Sequence, residues 1–236
     1  MKLNKLFPLL FLGMSLLALN LFSSYRAQTA KIKEVRIKID ADSPLFFTEQ
    51  IVNKLLIQRQ DSLFYKQKDV VDLSSVEAYF SRIPAIKNVQ LYTNPQGSLH
   101  VDIQERKPLI RVNGDTSYYL DDTGKQIPLS SLRTALVPLF FGQLDEQNAK
   151  SIVDLVVQMK EDDFLNQQVV HYQMKNEQFV LGLRSFPFDV VWGKNKDFEA
   201  KKQKLKRFCA YYNAHKDETI EEVSLIYKQQ VVARHN

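Results

Sequence analysis

Residues Leu6 to Phe22, LFPLLFLGMSLLALNLF, carry no charge, and this stretch constrains the chain more than any other. Extended to Tyr25 it has 20 residues, which as a helix spans about 30 Å, the thickness of a hydrocarbon core. Lys2 and Lys5 precede it, so a short positive tail is expected to stay inside while the rest of the chain is exported. Arg26, Lys31 and Lys33 on the far side weaken that charge bias, and the orientation then rests on the shortness of the tail. The rival is a cleaved signal peptide, whose apolar core is normally about 7–15 residues and ends at a small-x-small site. Here the core is longer, and Leu21-Phe22-Ser23 and Tyr25-Arg26-Ala27 each put a bulky residue three before the cut. A retained single-pass anchor is the expectation.

The remainder is made of short amphipathic segments. IKEVRIKI (Ile32 to Ile39) alternates as a half-buried strand. Thr48 is placed to cap a helix with Ile51, Val52, Leu55 and Leu56 on one face. A second helix starts near Leu73, where Ser74 and Glu77 fit a capping box, and turns Val76, Tyr79 and Phe80 inward before Pro84. Ile86 to Thr93 and Ser98 to Gln104 form strands around the turn Asn94-Pro95-Gln96-Gly97. Strand, helix, helix, strand, strand makes a small α+β unit with both helices on one face of a three-stranded sheet.

Pro108 cannot donate to a ladder and marks a handover to a second strand system. Strands are expected at Leu109–Val112, Ser117–Leu120 and Lys125–Leu129, then at Val169–Met174, Phe179–Leu183 and Asp189–Val191. Helices are expected at Asp145–Lys160 and Lys196–Tyr212. The last element, Val223 to Val232, reads as one strand, with Val223, Leu225 and Tyr227 alternating against Ser224, Ile226 and Lys228. The fold class is thus α+β: an N-terminal transmembrane helix, a small α+β domain, and a C-terminal mixed β domain with flanking helices. The segments divide as 1–5 tail, 6–25 membrane span, 26–31 linker, 32–107 first domain and 108–236 second domain.

Familiar catalytic patterns are missing. Of the seven glycines no two lie closer than ten residues, which excludes both a dinucleotide-binding G-x-G-x-x-G and a P-loop. G-x-S-x-G, H-E-x-x-H and S-x-x-K do not occur. His100, His171, His215 and His235 fall on separate elements and form no local metal pair. The lone cysteine, Cys209, lies on an amphipathic helix and reads as a small core residue; a reactive thiol would need a base nearby. Asp121-Asp122 before Thr123-Gly124 are turn formers. The basic run Lys194 to Arg207 puts Lys201, Lys202, Lys204 and Arg207 opposite an apolar stripe, as on a solvated helix face. Trp192 is either core at a strand end or part of an aromatic binding surface. No enzyme activity, cofactor, metal or nucleic-acid partner is expected.

IKEVRIKI with LFFTEQIVNKLL, then LSSVEAYFSRIPAIKNVQLYTNPQGSLHVDIQERKPLIRV, resembles the POTRA domain of the FtsQ/DivIB family of bacterial cell-division proteins and its entry into the β domain. SYYLDDTGKQIPLS resembles the first β-domain hairpin, most like versions from Bacteroidota. WGKNKDFEAKKQKLKRF and VSLIYKQQVV resemble its closing helix and last strand. The resemblance implies a scaffold at the division septum, in the cell inner membrane, with a cytoplasmic N-terminus and periplasmic domains. It would link early and late divisome components and bind FtsB/FtsL-like coiled-coil proteins, so controlling septal peptidoglycan synthesis. The family's partner surface, carried over by position, falls on Val223, Leu225, Tyr227, Lys228, Gln229, Gln230 and Val232. The expected cytoplasmic tail has only about five residues, so the resemblance does not carry over any role that the family gives to a longer tail. The alternatives are a POTRA-bearing envelope assembly or transport protein and an envelope enzyme with an unfamiliar site.

Overall fold

The computed structural model describes residues 11–20, 32–40, 45–59, 72–94, 96–215 and 219–235. Residues 11–20 are helical. Half of the expected span Leu6 to Tyr25 lies outside the described residues, and among those described no helix is long and apolar enough to cross a membrane. The chain divides into two compact units, Met1–Glu105 and Arg106–Asn236.

The first unit runs β1 (Glu34–Asp40), α1 (Glu49–Arg59), α2 (Leu73–Ser81), β2 (Ile86–Thr93) and β3 (Ser98–Glu105). Its sheet has the order β1-β3-β2, with β1 parallel and β2 antiparallel to β3. Val35, Ile37 and Ile39 lie opposite Leu99, Val101 and Ile103, and Val89 opposite Ile103, so one face of the sheet is continuously apolar. The other face carries Arg36, Lys38, His100, Asp102 and Gln90. β1 and β3 follow the period-two rule, β2 shifts register between Ile86 and Asn88 so that Ile86 and Val89 are both buried, and the helices cover the apolar side.

Helix α1 buries Val52 and Leu56, one turn apart, while Ile51 and Leu55 are half-buried at the edges of the stripe. On α2, Val76 and Phe80 are buried and Tyr79 is only half-covered. The α2 cap differs from the expected capping box. Asp72 is the N-cap, its carboxylate accepting from Ser75 N at 3.1 Å, two residues ahead of Ser74. Asp72 sits immediately before the first helical residue, where a short carboxylate reaches the third amide of the turn.

At the end of β3 stands a carboxylate that no sequence pattern marks. Glu105 is 5% exposed, and it accepts backbone hydrogen bonds from Leu45 N at 2.7 Å, Phe46 N at 3.0 Å and Phe47 N at 2.8 Å. Amides from a segment with no ladder of its own are satisfied by one side chain.

The second unit runs β4 (Ile110–Asn113), β5 (Ser117–Leu120), β6 (Gln126–Pro128), β7 (Leu139–Phe141), α3 (Glu146–Lys160), α4 (Asp163–Gln168), β8 (Val169–Lys175), β9 (Gln178–Leu183), β10 (Asp189–Gly193), α5 (Phe198–Ala214), β11 (Ile220–Ser224) and β12 (Val232–His235). These strands form one nine-stranded mixed sheet in the order β12-β11-β10-β9-β8-β7-β4-β5-β6. Helices make the long crossovers that parallel neighbours require: α3 and α4 join β7 to β8, and α5 joins β10 to β11. A single row, Val112, Phe140, Tyr172, Leu181, Val190 and Val223, runs across six strands and faces the core that the helices close.

Two elements of this unit escape the sequence pattern. β7 is three residues long and lies between β4 and β8 in the middle of the sheet. Such a short run shows no measurable alternation. Helix α4 is six residues, capped by Asp162, whose carboxylate accepts from Phe164 N and Leu165 N.

The turn Asp121 to Lys125 is built on the Asp121 side chain. Its Oδ1 accepts from Thr123 N, Thr123 Oγ1 and Lys125 N, and its Oδ2 pairs with Arg106 Nη1 at 2.7 Å. Burial pushes this carboxyl up, but hydrogen bonds from Thr123, from Arg106 and from the two backbone amides outweigh it and hold the group below the ordinary carboxylate value.

Candidate partner-binding edge

Strand β10 ends at Gly193, whose φ of +77° turns its chain away from the sheet. β11 runs parallel beside it, pairing Val190 with Val223 and Val191 with Ser224. Leu225 N still reaches Val191 O at 3.0 Å, but beyond that residue β10 offers no further partner. The chain therefore leaves the sheet, crosses residues 226–231 as a strap, and returns antiparallel as β12, with Ser224 opposite Val232 and Val223 opposite Ala233.

The single strand expected over Val223 to Val232 is thus two strands and a connection. The alternation of Val223, Leu225 and Tyr227 fits either arrangement. The point where β10 ends decides between them, and that is not a local property of the last ten residues.

This splits the candidate site. Val223 and Leu225 are 0% and 1% exposed and belong to the core, where no partner side chain can reach them. Tyr227 and Val232 are 46% and 40% exposed, and Lys228, Gln229 and Gln230 lie on the strap in solvent. Ile226, which the alternation puts on the opposite face from Tyr227, is 40% exposed beside it. In a strap the two need not oppose one another, so an apolar residue missing from the expected set joins the surface. β12 is the outermost strand, and its far side pairs with no strand among the described residues. Arg234 on β12 lies 3.7 Å from Glu222 and 3.8 Å from Glu221 across the β11 ladder.

The remaining singled-out residues fall away from this edge. Trp192 is completely buried among Phe198 and the core residues around it, so it is core and no surface. Cys209 is 2% exposed, and burial pushes its thiol up to about 12. His171 sits on β8 against Phe141, His100 is stacked on Tyr92, and His215 is stacked on Tyr211 beyond the end of α5. Among the described residues no three His, Cys, Asp or Glu side chains gather closely enough to hold a metal ion. An open cleft of about 710 Å³ beside the first turns of α3 is lined by Asp122, Asp145, Glu146, Lys150 and Val153. Asp145 there is occupied as the helix cap.

The basic face of α5 is not simply solvated. Lys201 is 7% exposed and donates to Lys194 O at 2.7 Å. Lys202 pairs with Glu199 at 2.6 Å and lies 3.7 Å from Asp162, and Lys206 pairs with Asp162 at 2.7 Å. Lys204 donates to Tyr227 O on the strap. Arg207 alone of the four expected residues is exposed. The loop between α3 and α4 and the strap both come back over this helix, and a helical periodicity cannot show what returns over it.

The family model described as FtsQ/DivIB, C-terminal related, matches residues 107–234, more than half of the chain. The chain belongs to this FtsQ/DivIB-related family. The matched stretch takes in the nine-stranded sheet up to Arg234 in β12, together with α3, α4 and α5. Membership makes this a cell-division protein of the FtsQ/DivIB type, with the division septum as its place of work and divisome proteins as its general class of partner. No curated protein matches the chain.

Proposed function

We propose that this FtsQ/DivIB-type protein is a non-catalytic scaffold that binds FtsB/FtsL-like coiled-coil proteins along β12 and the strap, and so controls septal peptidoglycan synthesis. The observation that carries the reading is the outer edge of β12, which pairs with no strand among the described residues and adjoins a strap bearing Ile226 and Tyr227. An edge strand offers unpaired N–H and C=O groups, and an extended partner segment can add to it by main-chain hydrogen bonds. Side chains then set specificity. Ile226, Tyr227 and Val232 supply apolar contact, Lys228 pairs with a partner carboxylate, and Gln229 and Gln230 offer amide hydrogen bonds. Val223 and Leu225 hold the sheet beneath.

The same reading makes 32–107 a POTRA domain and 108–236 a C-terminal β domain, carried by a single-pass anchor at 6–25. The N-terminus is then cytoplasmic and both domains periplasmic. Two features support the anchor. Leu6 to Phe22 has no charge, and in helical residues 11–20 Phe11 is 72% exposed, Met14 70% and Leu17 65%, an apolar surface that calls for lipid rather than water. A reporter active only in the cytoplasm, fused after Asn236, is expected to be silent; activity there reverses the topology.

Because Gln229 and Gln230 lie outside the strand, the proline test belongs on β12 itself. Proline placed singly at Val232, Ala233 and Arg234 deletes one backbone donor each time. Amides alternate in direction along an antiparallel pair, so one parity faces β11 and the other faces the partner. The outward position is expected to fold normally by circular dichroism and to lose co-purification of the coiled-coil proteins. Folded variants of both parities that capture them at wild-type levels would rule the edge out. Recovery of an outer-membrane barrel instead would favour the envelope-assembly reading.

A further inference from the structure

The strap is held in place by groups that belong to neither strand. Ile226 Cγ2 lies 2.8 Å from where a Cβ on Gly193 would stand, so only a glycine at the end of β10 lets the strap come this close. Gly193 also has φ +77°, a conformation that side-chain-bearing residues avoid. One residue further, Lys204 Nζ from α5 donates to Tyr227 O. Lys201, one turn earlier on the same helix, donates to Lys194 O at 2.7 Å and so fixes the turn that follows Gly193. Two lysines three residues apart therefore spend their ammonium groups on backbone carbonyls, one on each of two adjoining loops. Burial lowers the Lys201 pKa, in keeping with an ammonium enclosed by the fold.

We infer that Lys204, acting with Gly193, is a positioning residue that latches the strap in its binding shape before any partner arrives. The inference rests on the edge-binding reading above and adds a determinant of affinity to it. The partner it fits is an extended peptide segment with an apolar side chain to lay against Ile226 and Tyr227. Without the latch, Lys228, Gln229 and Gln230 stand in solvent between Tyr227 and the core-packed Val231, and a binding partner must first order them. Immobilising flexible side chains on binding costs affinity, and preorganisation removes that cost.

The experiment uses the full chain in detergent or nanodiscs, with the FtsB/FtsL-like proteins of the same organism as the probe. Lys204→Met keeps the aliphatic stem and removes the donor; Lys204→Arg restores a donor. Amide exchange is measured without partner, and affinity with it. Lys204→Met is expected to speed exchange within residues 226–231 only, to leave the thermal midpoint unchanged, and to weaken partner affinity roughly 5–30-fold. Lys204→Arg is expected to recover most of both. Gly193→Ala is expected to act in the same direction if it folds. Unchanged exchange in Lys204→Met overturns the latch, and faster exchange at unchanged affinity overturns its role in binding. A wild-type chain that captures no partner defeats the edge-binding reading instead, and the exchange comparison still decides whether the latch exists.

Discussion

The imidazole of His171 lies flat across Gly182 of the neighbouring strand: a Cβ at position 182 would stand 1.7 Å from His171 Cε1 and 2.2 Å from Nε2. The two residues are register partners on β8 and β9, and Phe141 meets the ring edge-on from β7 at 5.6 Å between centroids. Gly182 is required here for close approach, with no need of an unusual backbone angle.

Gly182→Ala must therefore displace the ring, and the expected loss is about 1–3 kcal/mol, the usual range for overpacking. His171→Ala removes the obstacle, so the double variant should be more stable than the sum of the single effects allows, by at least about 0.5 kcal/mol. Urea denaturation of the four proteins measures this. Strict additivity would mean that the ring moves aside freely.

Asp121 and Arg106 form a largely enclosed ion pair, with side-chain exposures of 3% and 13%. Asp121→Ala strands the guanidinium and the Thr123 and Lys125 donors, for an expected loss of about 3–5 kcal/mol. The carboxyl's pKa is lowered in the folded state, so its contribution is present above the unfolded value of 3.8 and is lost as pH falls through the lower folded value. Stability of the wild type below pH about 4 should fall more steeply than that of Asp121→Asn. Parallel curves would show that Asp121 is not a source of acid lability.

In the first unit, Leu56 is 2% exposed whereas Leu55 is half-buried. Leu56→Ala is expected to cost about 2–5 kcal/mol, and Leu55→Ala clearly less. Equal losses in thermal or chemical denaturation would mean that α1 packs its stripe one residue away from where the structure puts it.

Much of the fold is local in origin and could be read from the chain. The alternation in IKEVRIKI and the helical stripes of α2, α3 and α5 follow from the periods of two and 3.6 that strands and helices impose on buried positions, while β8 and β9 are legible only as short apolar runs. The same patterns, with their turns, carry the FtsQ/DivIB resemblance, and the family match to residues 107–234 bears it out. What only the tertiary structure decided depends on segments far apart in the chain. The last strand breaks after Leu225 because β10 ends at Gly193, more than thirty residues earlier. Val223 and Leu225 are then core, and Ile226 joins the surface. Glu105 serves amides sixty positions away, and Lys204 serves a carbonyl at Tyr227. β7 is a strand because β4 and β8 flank it. A sequence pattern reports which side of an element is apolar; which element ends beside it, and which backbone groups are left for a side chain to satisfy, is fixed by the packing.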